Sequence, residues 1–147
     1  MQIFPDTNST TPKCDPVRLR LYLMDFEVTN APLFQQYLSD KELETCIQWA
    51  VDDFNETTPI FEYKLTVKDF PLPKLLLKGA ALEAMNLTLM KEMRGEMQYQ
   101  DCGISNSIYY KSQQFMSIRS TLSQEYEQSK MRNKRQMNLE SCYGGIN

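Results

Sequence analysis

Between residues 39 and 55 the chain shows its clearest periodicity. Leu43, Ile47, Ala50, Val51 and Phe54 recur at helical spacing, and Ser39-Asp40-Lys41-Glu42 before them is a capping-box pattern: a hydroxyl reaches the third helical amide and a carboxylate reaches back. The pattern predicts a helix over 40–55. From Leu72 to about Met93 apolar residues surround most of a second helix, which predicts burial on nearly every side. Ile108, Phe115, Ile118, Leu122 and Tyr126 mark one face of a final helix from about Asn106 to Met137. Between the first two, Phe61, Tyr63, Leu65 and Val67 alternate strictly with Glu62, Lys64, Thr66 and Lys68, the pattern of a half-buried strand that needs a pairing partner inside the chain or in another copy. Asp15-Pro16 places a capping side chain before a proline at a first helical position, and the mixed pattern that follows to about Met24 fits a short helix or a strand.

These elements describe a mainly α fold: a helical bundle with two long helices and a short strand or hairpin. Residues 1–13 are polar and without period, an extended arm; 14–129 form the helical core; 130–147 form a protruding basic helix end and a docking tail. A helix from 106 to 137 runs about 46 Å at 1.5 Å per residue. A compact chain of 147 residues has a diameter of roughly 38 Å. The helix is therefore expected to outrun its domain, its apolar face ending at Tyr126 and its basic end clear of the core.

Composition narrows the chemistry. The chain contains no histidine, which removes serine triads, Cys-His dyads and zinc-protease motifs. The cysteines Cys14, Cys46, Cys102 and Cys142 form no C-x-x-C pair and read as buried free thiols. No Gly-rich phosphate loop occurs, and the carboxylates Asp52, Asp53 and Glu56, or Glu125 and Glu127, read as solvated faces rather than an acid–base pair. No enzyme, cofactor or metal is expected. Apolar runs are too short to span a bilayer, and Met1-Gln2-Ile3-Phe4-Pro5-Asp6 lacks a secretion signal, so folding in a cytosol is expected and the sequons at Asn8, Asn55 and Asn86 carry little weight.

Two features point outward. Trp49, with Cys46 and Asp53, lies off the stripe of the 40–55 helix, as edge-of-core packing or as a contact with a neighbouring subunit. Residues 128–140 hold four cations against one carboxylate, so this stretch is net +3 and the rest of the chain net −6. The run Lys130, Arg132, Lys134, Arg135 reads as a solvated helix end suited to the dipole, as a nucleic-acid contact, or as a docking element for an acidic protein partner. The nucleic-acid reading is weak in a chain of pI near 5.0.

The succession of segments resembles a known family. It comprises Arg-Leu-Tyr-Leu (20–23), Trp-Ala-Val-Asp-Asp-Phe-Asn-Glu-Thr-Thr-Pro (49–59), the Phe-Pro-x-x-x-Leu-Leu-Leu-x-Gly-Ala-Ala run (70–81), Tyr-x-Asp-x-Gly-Ile-Ser (99–105) and Tyr-Gly-Gly-Ile (143–146). Together these look like the head-to-tail connector, or neck adaptor, proteins of tailed bacteriophages. The resemblance implies a structural virion protein, assembled in the host cytoplasm into a homo-oligomeric ring of about twelve subunits. The ring would join the portal protein to tail or neck proteins, and double-stranded DNA would pass through it without specific binding. It also implies that the terminal helix and tail grip the portal, through Lys130, Arg132, Lys134, Arg135, Leu139, Tyr143, Gly144, Gly145 and Ile146. A tail-completion or terminator protein, and a nucleic-acid-binding packaging or regulatory factor, are the competing expectations.

Overall fold

The computed structural model describes residues 14–26, 36–96 and 106–143, with side chains omitted at 95–96, 106–112 and 142–143. The expected arm 1–13, the loop at 101–103 and the tail residues Gly144, Gly145 and Ile146 lie outside the described residues. The chain forms a mainly helical bundle of four helices among the described residues: α1 (Pro16–Leu23), α2 (Asp40–Glu56), α3 (Pro73–Glu96) and α4 (Asn106–Tyr143). None of them is long and apolar enough to cross a membrane.

Local chemistry sets the boundaries. Asp15 caps α1 by accepting from the Arg18 amide at 2.8 Å, Pro16 opens the first turn, and Met24 closes it in the left-handed region at φ 55°. The ambiguous segment is thus a helix, and Arg20 within it is buried despite its charge. Its guanidinium reaches Asp25 at 2.9 Å and Asp40 at 2.7 Å. Asp25 also accepts the amides of Tyr37 and Leu38, so one buried carboxylate ties the end of α1 to the approach to α2. The capping box of α2 forms as the sequence predicts: the Glu42 amide donates to Ser39 Oγ, and Glu42 Oε2 accepts from the Ser39 amide. Glu42 also pairs with Lys91 on α3, and the bonds from Lys91 and from Ser39 hold its carboxyl below the ordinary value.

The core lies between α2 and α3, with α1 across both. Leu19, Leu43, Cys46, Val51, Leu76 and Ala80 meet there, and Phe54 packs edge-on against Phe70 at 4.9 Å. Each large side chain buried in this way contributes about 1.5–3 kcal/mol. Helix α3 is mostly buried along Leu75–Met85, but Met90 and Met93 are 55% and 60% exposed, so burial ends about three turns before the helix does. α4 runs antiparallel to α3: Arg119 donates to Asn86, Lys78 pairs with Glu125, and Ser129 and Asn133 lie beside Leu72 and Leu75.

No strand forms among the described residues. Over 61–68, Leu65 is buried and Phe61 and Val67 pack on the core, but Tyr63 points outward and stacks on Phe61 instead. The backbone demand that called for a pairing partner is met by a side chain. Asn55 donates to the Leu65 carbonyl at 2.9 Å and accepts its amide at 3.0 Å, doing for one residue what a neighbouring strand does for many. A Thr66–Asp69 turn then ends the extended run.

Asn55→Ala removes both bonds and leaves the buried Leu65 backbone unsatisfied, so it is expected to cost about 2 kcal/mol in urea unfolding. Asn55→Asp, which keeps the acceptor and loses the donor, is expected to fall between the two. Equal stability of all three proteins would show that another group satisfies this backbone.

Candidate functional site

The final helix is where sequence and structure differ most. Its inward stripe is Arg119, Leu122, Tyr126, Lys130, Lys134 and Met137, with spacings of three and four residues, and it does not stop at Tyr126. Ile118, expected on this stripe, is 61% exposed, while Arg119 turns in to Asn86.

Tyr126 sets the register. Its ring end stands 2.9 Å from where a β-carbon would sit on Gly79, so α3 and α4 approach this closely only because that residue is glycine. Its hydroxyl donates to Asp53 Oδ2 at 2.9 Å. Burial, with the charges and hydrogen bond of Asp53 next, raises the tyrosine's pKa far above its ordinary value.

The basic run divides into two lysines inside and two arginines outside. Lys130 is buried and donates to Asp53 and Glu127, each at 2.8 Å. Burial pushes its pKa down, but the two carboxylates more than reverse this and leave it above the ordinary lysine value. Lys134 is fully buried. Its ammonium lies 4.7 Å from the Phe54 ring centre and 4.4 Å from that of Phe61, and it donates to the Pro59 carbonyl. Burial, and then the neighbouring Lys130 charge, lower its pKa. The expectation that the helix leaves the core at residue 130 is therefore corrected. Lysine stems are apolar, and aromatic faces with a carboxylate accept their heads, so α4 packs through Met137. Only its last turns, with Leu139 at 55% exposure, continue beyond the packed stripe.

The triad expected at a subunit interface also separates. Cys46 is a core residue whose thiol burial raises to about 11, and Asp53 is committed to Tyr126 and Lys130 within the chain. Trp49 alone of the three remains open, at 47% exposure. Arg132 and Arg135 are exposed and have no ion pair among the described residues. Gly144, Gly145 and Ile146 lie outside the described residues, and for Tyr143 only the helical backbone is described.

Two cavities lie among the described residues. A polar cavity of about 100 Å³ between Asp53, Glu83, Arg119 and Tyr126 is smaller than ligand pockets of about 300 Å³ and above. A depression of about 480 Å³ beside Leu72, Pro73, Lys78 and Asn133 is open and mostly apolar. Asp52 and Asp53 face different ways, the first accepting from Gln48 at the surface. Among the described residues no three His, Cys, Asp or Glu side chains are grouped to hold a metal.

What the sequence reading missed was the pairing of the buried lysines with Asp53, Phe54, Pro59 and Phe61. The four-residue recurrence of 126, 130 and 134, continued by Met137, is the signal that carries it.

Tyr126→Phe removes the bond to Asp53 and is expected to cost about 1 kcal/mol at pH 7. Above the ordinary tyrosine value of 10.0 the unfolded wild type loses the phenolic proton while the folded protein keeps it, so wild-type stability falls as pH rises and the gap to Tyr126→Phe closes. Denaturant titrations from pH 7 to 10.5 check this; a constant gap would show that the hydroxyl is not held as described. Comparison with models of known protein families, with curated proteins and with solved structures finds no match to this chain in any of the three.

Proposed function

We propose that this protein is a non-enzymatic structural subunit of a tailed-phage neck, assembling into a ring that joins portal to tail and lets genomic DNA pass. The observation that carries the reading is the distribution of exposed large apolar side chains. Val17, Leu21 and Tyr22 on α1, Trp49 on α2, Met90 on α3 and Leu139 on α4 are all at least 40% exposed. Val17 and Leu21 stand one turn apart on the same exposed face of α1, so they form a pair rather than scattered side chains, and such a patch suits a surface that a neighbour covers. The succession of sequence segments that resembles the connector proteins supports the same reading, and with it a connector-like arrangement of the bundle. The half-exposed segment 61–68 then has a second copy available as a partner.

The burial of Lys130 and Lys134 also bears on the competing readings. A nucleic-acid-binding helix needs its cations free for phosphate, and half of this run is spent inside the protein. The portal contact accordingly moves toward the end of the chain. Residues 130–137 belong to the packed helix, and portal docking falls to the Tyr143–Ile146 tail. A tail-terminator role differs only in the partner gripped.

Removing residues 142–147 is expected to leave thermal unfolding within a few degrees of wild type and to abolish binding to isolated portal rings in co-sedimentation. Removing 130–147 also takes out Lys130, Lys134 and Met137 and is expected to unfold the domain. Normal portal binding by the shorter deletion would overturn the docking assignment, and binding to tail tube in place of portal would favour the terminator role.

A further inference from the structure

The two arginines left on the outer face of α4 have a counterpart on the same molecule. Along α2, Trp49, Asp52 and Glu56 share one exposed face, three and then four residues apart. Along α4, Leu139, Arg135 and Arg132 share another, four and then three residues apart when read backward. The outer members of each set are seven residues apart, about two helical turns. None of the four charged groups has an ion pair among the described residues; Asp52 accepts only from Gln48.

We infer that α2 of one copy docks antiparallel on α4 of the next, with Trp49 on Leu139, Asp52 on Arg135 and Glu56 on Arg132. The inference rests on the ring reading above and names its subunit contact. Charge complementarity chooses the occupant. The acidic face and the basic face sit on one polypeptide in equal number, so every copy supplies what its neighbour lacks. Because the two faces differ, the contact is head-to-tail, the kind that closes into rings rather than stopping at a dimer. Trp49 and Leu139 extend the row with apolar area, while the two ion pairs set polarity and register. The assignment leaves the helix end beyond Leu139 to the portal, since Arg132 and Arg135 lie within the length of α4 that packs on its own bundle.

Sedimentation velocity on the full chain tests the contact at low and high salt. Wild type is expected to assemble at low salt and to weaken as salt is raised. Arg132→Glu/Arg135→Glu and Asp52→Lys/Glu56→Lys, all at exposed positions, are each expected to weaken self-association about tenfold or more by placing like charges face to face. In an equimolar mixture of the two variants every junction between unlike copies brings opposite charges together, so alternating assembly is expected to recover. So is a single chain carrying all four changes. Circular dichroism confirms that each variant is folded, and recovery in the mixture shows it independently. Assembly that ignores all these changes overturns this contact and leaves the ring reading standing. A wild type that stays monomeric at every salt and protein concentration overturns both.

Discussion

The attachment of α4 depends on the absence of one carbon atom. At Gly79 the tyrosine ring of α4 approaches the α3 backbone so closely that a side chain there would push the ring aside, and this places the Tyr126 hydroxyl on Asp53 of α2. Three helices are thereby fixed at one point. From that point the register of α4 determines which residues face inward on each later turn, so Lys130 meets Asp53 and Lys134 reaches the two phenylalanine rings and Pro59. The outward positions of Arg132, Arg135 and Leu139 follow from the same register.

Burying two lysines costs desolvation, and the chain offsets it differently for each. Lys130 is compensated by full charges, Asp53 and Glu127, both partly open to solvent. Among the described residues Lys134 has no carboxylate in contact and relies on aromatic faces and a carbonyl. The opposite directions of their pKa shifts express this difference: paired charge favours the proton, and burial without paired charge disfavours it.

How much of this was legible from sequence depended on whether a neighbour was needed to read it. Helix α2 was legible in extent and in most of its stripe because that stripe and the capping box are local patterns that agree, although Cys46, read as off the stripe, lies in the core. Helix α3 was legible in type and mostly in extent, since apolar residues on all sides admit few arrangements. The segment 61–68 misled because alternation reports which residues face the core, as Leu65 and Val67 do, but is silent on what satisfies the backbone; Asn55 lies ten residues before Leu65 and belongs to another element. The basic run misled for a related reason. A lysine written in a sequence shows its charge and hides its four-carbon stem, and only the fold reveals aromatic rings and a carboxylate waiting on the other side. Trp49, by contrast, kept both of its readings open until burial separated it from Cys46 and Asp53.

The grip of Lys134 on the Pro59 carbonyl has a mechanical consequence. The segment between α2 and α3 has no sheet to brace it among the described residues; it is hooked by Asn55 from one helix and by Lys134 from another. Traction on the C-terminal end of α4 therefore travels down a stiff rod, meets Met137, and one turn further in reaches that hooked segment and the Phe54 ring beneath it. A lever anchored in this way carries strain from the tip of the molecule to the centre of its fold.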